Sequence, residues 1–417
     1  MLFRSPLVGA GGSLVVGQDT RRSCDMLVAA ITAGATSLGV DVHLAGVMPT
    51  PALAFLAGSG AYRAGIMVSA SHNPADDNGL KVLDAEGRKL DDEVEDALEH
   101  LIWRADELAG PGNADLGIAV DARAELERYV AHRLGLASAV DARGLHVVLD
   151  CANGSGGIVG PRILAATGAR VAVVNNDPDG RNINVRCGAT APEGLARAVV
   201  ERGADLGFAL DGDADRLIAV DSAGRVVDGD VVLGIMALDR LGRGALAADA
   251  LVVSVLSNGG LQRAVEAAGG TVIRTPVGDK HIADGMAVAG AGLGGEKSGH
   301  IIVAEATTSG DGIVSALELL AIVTRSGRAL VNLAGQVPLL PQQQRAVTVR
   351  HKDQWEGDPQ IRDAIRRAED RLGGAGRVLV RPSGTEPALR VMVEGPDDEL
   401  VTELADSLAA LAGERLN

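Results

Sequence analysis

Short aliphatic runs alternate with helix-like segments along almost the whole chain, and the alternation starts afresh twice. Val15-Val16 stops at Gly17, and a helical stretch covers Ser23 to Leu38. A strand over Val40 to Leu44 leads into the turn Pro49-Thr50-Pro51. Gly65 to Val68 reads as the next strand, and Asp91 to Leu108 as a charged amphipathic helix. A second unit opens with strands at Leu145 to Asp150 and Val171 to Asn175. Leu206 to Leu210 then runs into an acidic loop, and Arg216 to Val220 with Arg225 to Val227 reads as a hairpin. A third unit has a strand at Leu251 to Val255, a helix at Gly260 to Ala268, a strand at Thr271 to Arg274 and a helix at Asp311 to Arg325. Residues 335–345 hold Pro338, Pro341 and three consecutive glutamines, and read as a linker. The tail, Ala346 to Asn417, carries two strand runs and two helices, a small α+β domain. Such alternation specifies α/β units with largely parallel sheets, whose ligands bind outside the carboxyl ends of strands.

Composition narrows the function classes. A chain of 417 residues holds two to four domains at about 150 residues each. Three Phe, two Trp and two Tyr leave aliphatic cores and exclude base-stacking platforms. A net charge of −16 argues against nucleic acid as a partner. Cys24, Cys151 and Cys187 lie far apart with no CxxC pair, which fits a reducing cytoplasm. Gly9, Gly11 and Gly12 interrupt the apolar start, so no signal peptide is expected. The uncharged run Leu44 to Tyr62 contains Pro49 and Pro51, so a strand, a turn and a short helix are expected there, not a membrane span.

Four polar loops carry the chemistry. In Asp211-Gly212-Asp213-Ala214-Asp215-Arg216, carboxylates at alternate positions of an extended segment share one face. Crowded like charges call for a hard cation, Mg²⁺ before Ca²⁺, and the spacing is not that of an EF-hand. A solvated acidic turn is the plain alternative. The second loop, Ser69-Ala70-Ser71-His72-Asn73-Pro74, sets a serine beside a base, with Lys81 ten residues on. From spacing alone it reads as a polar turn. The third, Gly294-Gly295-Glu296-Lys297-Ser298-Gly299-His300, offers acceptors and donors suited to sugar hydroxyls, or is a Gly-rich hairpin. The fourth, Arg381-Pro382-Ser383-Gly384-Thr385-Glu386-Pro387 with Arg390, has the makings of a phosphate cradle without P-loop spacing, or is a turn with surface arginines. A cation site, a hydroxyl nucleophile, a polyol reader and a phosphate grip together point to phosphoryl transfer on a sugar phosphate.

These motifs, in this order, resemble the α-D-phosphohexomutases. The resemblance runs from Val15 to Glu394 and includes Gly17-Gln18-Asp19-Thr20-Arg21, Met48-Pro49-Thr50-Pro51-Ala52, Asp150-Cys151-Ala152-Asn153-Gly154 and Asp177-Pro178-Asp179-Gly180. Asn182-Ile183-Asn184 with Cys187-Gly188, Val277-Gly278-Asp279-Lys280 and Thr307-Thr308-Ser309-Gly310-Asp311-Gly312 are similar to the amino-sugar branch. The resemblance implies three similar mixed-sheet α/β domains, at 1–142, 143–225 and 226–335, and a smaller C-terminal α+β domain at 345–417, around a central cleft. It implies that Ser71 is a phosphoserine and that Asp211, Asp213, Asp215 and a phosphoserine oxygen hold Mg²⁺. It gives Arg216, His72 and Lys81 to proton transfer and charge stabilisation. Glu296 and Ser298, with Lys280 and His300, read the sugar, and Arg381, Ser383, Gly384, Thr385 and Arg390 hold the non-reacting phosphate. The implied reaction interconverts glucosamine 6-phosphate and glucosamine 1-phosphate through a bisphosphate, primed by a hexose bisphosphate and feeding UDP-N-acetylglucosamine synthesis. Sugar phosphates are then the partners, and the family admits a homodimer.

Two departures qualify the resemblance. No residue before Val15 matches the Gly-Thr-Asp-Gly-Ile-Arg-Gly-like loop with which family members begin. An N-terminally incomplete first domain is therefore expected, without the arginine that loop would bring near Ser71. Lys297 stands where an amide is expected, which bears on sugar choice. A phosphomannomutase or phosphoglucomutase of the same fold, and a weakened sugar-phosphate-binding paralogue, are the alternatives. A phosphatase with an Asp nucleophile in the Asp211 loop is a further one.

Overall fold

The computed structural model describes residue 8 and residues 11–103, 115–383 and 386–417. The chain forms two compact units, one of residues up to Ser257 with Val265–Gln336, the other of Asn258–Ala264 with Val337–Asn417.

The first unit contains three mixed sheets. The first sheet uses β1 (Ser13–Gln18), β2 (Asp41–Val47), β3 (Ala64–Val68), β4 (Leu80–Leu83) and β5 (Ala119–Asp121), in the order β4-β3-β1-β2-β5. Helices α1 (Cys24–Thr36), α2 (Thr50–Leu56), α3 (Asp92–Ile102) and α4 (Leu126–Ala137) accompany it. The second uses β6 (His146–Asp150), β7 (Arg170–Val174), β8 (Leu206–Leu210), β9 (Leu217–Asp221) and β10 (Val226–Val227), in the order β10-β9-β8-β6-β7, with α5 (Gly160–Ala165) and α6 (Glu193–Arg202). After α7 (Gly229–Gly242) come β11 (Ala250–Ser254), α8 (Gly259–Ala267, whose residues to Ala264 belong to the second unit), β12 (Thr271–Thr275), α9 (Asp279–Ala289), β13 (Leu293–Gly295) and β14 (Ile301–Val303). The third sheet runs β12-β11-β13-β14, and α10 (Gly312–Ser326) and α11 (Leu330–Ala334) follow.

One topology recurs in all three. The first strand (β1, β6 or β11) lies between two parallel neighbours, and the later of these (β3, β8 or β13) turns into an antiparallel partner. Every residue of β3, β8, β9 and β11 is buried, which is why these strands read as apolar runs, with only Asp221 and Ser254 polar at the ends of β9 and β11. The turns out of β3, β8 and β13 are the serine, acidic and Glu296 loops. Each lies at the carboxyl end of a central strand, where α/β sheets place ligands.

The second unit has an antiparallel sheet of β15 (Gln342–Thr348), β16 (Arg377–Pro382) and β17 (Ala388–Glu394), in the order β15-β17-β16, with α12 (Pro359–Leu372) and α13 (Asp398–Arg415). Leu389, Val391 and Val393 share its core with Val401, Leu404 and Leu408. This corrects the linker reading of 335–345 and the count of two strands. The three glutamines open β15, an edge strand with no fully buried residue, so its sequence lacks an apolar signal. The charged helix read to Leu108 is described as far as Ile102. Its expected end lies outside the described residues.

Phe208 sits fully buried in β8, opposite Leu149 of β6 and Ala219 of β9. Phe208→Ala is expected to destabilise the first unit by about 3–5 kcal/mol, read from denaturant unfolding. An unchanged midpoint would contradict the packing described.

Candidate active site

The serine loop is held from beneath. Asp19, fully buried, accepts from Ser69 Oγ at 2.7 Å and from Arg21 Nε at 2.9 Å. Arg21 then donates to the carbonyls of Ser71 (3.1 Å), Asn73 (2.9 Å), Asp77 (3.0 Å) and Pro74. Asn184 Nδ2 donates to the same Ser71 carbonyl at 2.9 Å. This grip holds Ser71 at φ +50°, a left-handed conformation that costs a non-glycine residue and that is found at functional turns. An arginine thus does lie beneath Ser71. It comes from the Asp19-Thr20-Arg21 motif and grips carbonyls, a role the motif did not disclose.

Ser71 Oγ donates to Asp211 Oδ2 at 2.6 Å and lies 3.4 Å from His72 Nδ1. Asp211, Asp213 and Asp215 are buried, with carboxylate oxygens within 4.8 Å of one another. Lys81 lies on β4 opposite Met67, from where its ammonium reaches Asp213 Oδ2 (2.6 Å) and Asp215 Oδ2 (2.9 Å). Arg216 Nε stands 3.9 Å from both Asp211 and Asp215, and has no hydrogen-bond partner. Thr50 donates its hydroxyl to Asp213. Neither Thr50 nor Asn184 was assigned a role from sequence, although both lie inside quoted motifs.

The electrostatics separate these groups. Burial, then the charges of Asp215 and Asp213, push Asp211 well above the usual carboxylate range. Burial acts the same way on Asp215, but Lys81, His300 and Arg216 outweigh it and hold Asp215 low. Burial works against the Lys81 ammonium, yet Asp213 and Asp215 keep its pKa raised. Burial and Arg216 lower His72. Three carboxylates face two cations, and Asp213 Oδ1 and Asp215 Oδ1 are buried without hydrogen-bond partners. An all-oxygen donor set with orphaned carboxylate oxygens fits a hard divalent cation.

A cavity of about 230 Å³ opens beside this cluster, lined by Thr50, Lys81, Asp215, Asp279, Lys280 and His300 among others. Glu296 Oε1 accepts from Gly278 N–H at 3.1 Å, and the Ser298 hydroxyl is buried without a partner. His300 Nε2 accepts from Gly310 N–H at 3.2 Å and lies 3.6 Å from Asp279. Lys280 lines the cavity while its ammonium pairs with Asp92. Lys297 Nζ stands 4.0 Å from Asp228.

In the second unit, Arg381 and Arg390 are cross-strand partners on β16 and β17. Burial, then Arg390, lowers the Arg381 guanidinium, whose Nε is buried without a partner. Glu386 Oε2 occupies this basic spot, accepting from Arg390 at 2.8 Å and from Ser383 Oγ at 3.4 Å. Lys352, unnoticed in the sequence, donates to the carbonyls of Ser383 (2.5 Å) and Glu386 (3.2 Å). Paired cations with an unmet donor suit an anion such as phosphate. Gly384 and Thr385 lie outside the described residues.

Gly212 lets the acidic and serine loops touch. A Cβ there would stand 2.6 Å from the Ser71 carbonyl oxygen and 2.7 Å from Ile183 Cδ1. Gly212→Ala is expected to part the two loops and lower turnover about a hundredfold, with a stability loss of about 1–3 kcal/mol. Unchanged kinetics would refute the close approach.

Comparison with known proteins agrees with this arrangement. Residues 3–109, 127–224 and 228–339 match the phosphoglucomutase/phosphomannomutase alpha/beta/alpha domains I, II and III, and residues 346–411 match the C-terminal domain of that family. The phosphoglucosamine mutase of Moorella thermoacetica is 48% identical over 97% of this chain and 91% of its own length. The crystal structure of a phosphoglucomutase/phosphomannomutase family protein from Burkholderia thailandensis superposes with a TM-score of 0.80 at 26% identity, covering 98% of this chain and 91% of that one. An Aspergillus fumigatus N-acetylphosphoglucosamine mutase, solved in complex with GlcNAc-6P and magnesium, shares the fold with a TM-score of 0.67 at 23% identity, over 88% of this chain and 92% of that one. The chain belongs to the phosphohexomutase family, within its phosphoglucosamine mutase branch.

Proposed function

We propose that the chain interconverts glucosamine 6-phosphate and glucosamine 1-phosphate, with Ser71 as the phosphoryl carrier. The observation that carries this is the Ser71 hydroxyl, 2.6 Å from Asp211 and 3.4 Å from His72, among three buried carboxylates. The phosphorylated serine gives its phosphoryl group to the free hydroxyl of the bound sugar phosphate. The resulting bisphosphate turns around, and its other phosphoryl group returns to Ser71. The serine ends as it began, and the sugar has exchanged its 6-phosphate for a 1-phosphate. A hexose bisphosphate serves as the priming phosphoryl donor.

The titration behaviour divides the labour. His72 is held low and so is neutral at neutral pH, fit to take the proton of the attacking hydroxyl. Lys81, whose pKa is raised, stays charged and steadies the transferring oxygens, as does the Arg216 guanidinium. Asp211, Asp213, Asp215 and a phosphoserine oxygen would hold Mg²⁺, which neutralises charge on the transferring group. Magnesium is the ion named for the Aspergillus enzyme. Glu296 and Ser298, with His300 and Lys280, are the readers of the sugar. Lys280 would have to exchange Asp92 for the ligand. Arg381, Ser383, Gly384, Thr385 and Arg390 would grip the non-reacting phosphate.

Cytoplasmic residence is part of this reading. Cys24, Cys151 and Cys187 are buried free thiols, and burial with Asp19 pushes Cys24 up to about 12. No helix among the described residues is long and apolar enough to cross a membrane.

Phosphorus NMR tests the proposal on the chain mixed with Mg²⁺, glucosamine 6-phosphate and a trace of hexose bisphosphate. A growing 1-phosphate signal, absent with Ser71→Ala, is the expected result. No signal from the folded chain, or turnover by Ser71→Ala, would refute it. The pH profile gives a second check. A base is active above its pKa, and His72 lies below its ordinary 6.5. The acid limb of kcat/KM due to this residue is therefore expected below pH 6.5 and lost in His72→Gln.

A further inference from the structure

Asp311, fully buried, binds with both carboxylate oxygens. Oδ1 caps α10, accepting from Ile313 N–H (2.9 Å) and Val314 N–H (3.0 Å). Oδ2 accepts from Tyr129 OH (3.0 Å) and Arg133 Nε (3.1 Å), and Arg133 Nη2 stands 3.0 Å from it in the ion pair. Tyr129 and Arg133 lie one turn apart on α4, and both are fully buried. Arg133 Nη1 also donates to the Ala306 carbonyl at 3.1 Å, and the guanidinium stacks 4.6 Å from the centre of the Tyr129 ring.

The residues on either side of Asp311 touch the acidic loop. Gly310 N–H donates to His300 Nε2, and a Cβ there would stand 2.4 Å from the imidazole and 2.6 Å from the Asp215 carbonyl oxygen. Gly312 N–H donates at 3.0 Å to the carbonyl of Ala214, the residue between Asp213 and Asp215. Gly310-Asp311-Gly312 is thus a strap pressed against the acidic loop, and its anchor is held from behind by α4. A buried ion pair adds little to stability over a well-packed apolar pair, but a carboxylate whose two oxygens are both hydrogen-bonded is fixed closely in position.

We propose that Arg133 and Tyr129 are positioning residues, which act through Asp311 to set the Asp213-Ala214-Asp215 backbone and His300 for cation binding. Neither touches the carboxylates that would hold the ion. The inference rests on the reading of Asp211, Asp213 and Asp215 as the metal site. It predicts that metal affinity depends on two side chains of α4 that lie about 80 residues before the acidic loop in the chain.

The test is Mn²⁺ titration of the full chain, followed by the electron paramagnetic resonance of the free ion, beside kinetics at varied Mg²⁺. Arg133→Met is expected to weaken Mn²⁺ binding about tenfold and to raise the half-activating Mg²⁺ by the same factor. The KM for sugar phosphate at saturating Mg²⁺ should hardly move. Arg133→Lys, which keeps one charged donor, should recover part of the loss, and Tyr129→Phe should lose roughly threefold. If Arg133→Met does not fold, the Lys and Phe variants decide. Wild-type affinity in the folded variants would overturn the positioning role while leaving the metal reading intact. Failure of the wild-type chain to bind Mn²⁺ would overturn both.

Discussion

Three buried carboxylates within 4.8 Å of one another are the constraint to which the rest of the first unit answers. Left alone, Asp211, Asp213 and Asp215 would repel one another in a medium that screens charge poorly. Lys81 and Arg216 answer part of that charge, and the orphaned oxygens of Asp213 and Asp215 leave room for a cation to answer the rest. The same crowding bears on the phosphoryl transfer proposed for Ser71. Adding a phosphate of about −2 charge to Ser71 brings more negative charge to this spot, which only a metal and fixed cations can hold. The resting structure and the chemistry therefore pose one electrostatic problem.

The solution is assembled from a repeated topology. Each of the three sheets in the first unit sends a loop from the carboxyl end of a strand next to its first strand, just before an antiparallel turn-back. One copy delivers the serine, one the acidic loop, one the glutamate. The turn-back matters as much as the loop. It brings Lys81 on β4 up against carboxylates from the neighbouring sheet, and it puts Arg216 in a bridge with His300. A single fold solution, used three times, supplies the proposed nucleophile, metal site and sugar reader without any one sheet carrying all of them.

Much of this was legible in the sequence. The buried strands of the sheets are continuous aliphatic runs, and the acidic loop advertises itself by alternate carboxylates between two of them. The structure brings Ser71, His72, Asp211, Asp213, Asp215 and Arg216 together, with Lys81 reaching the carboxylates from β4. The strand β15 was hidden because an edge strand needs no apolar pattern, and glutamines serve it well. Arg21, Thr50, Asn184 and Asp311 were visible as motif letters, yet their partners lie 50 to 182 residues away in the chain. No local pattern encodes a contact across such a distance. The roles of such residues become readable only when the fold has chosen their neighbours.

The central claim is that the acidic loop and Ser71 together form a cation site. Its most direct test is a crystal of the chain grown with Mn²⁺ and recorded at a wavelength where that ion scatters anomalously. The account predicts one strong peak bonded to Asp211, Asp213 and Asp215 beside Ser71 Oγ. An ordered acidic loop with no peak, its carboxylates neutralised by Lys81 and Arg216 alone, would contradict it.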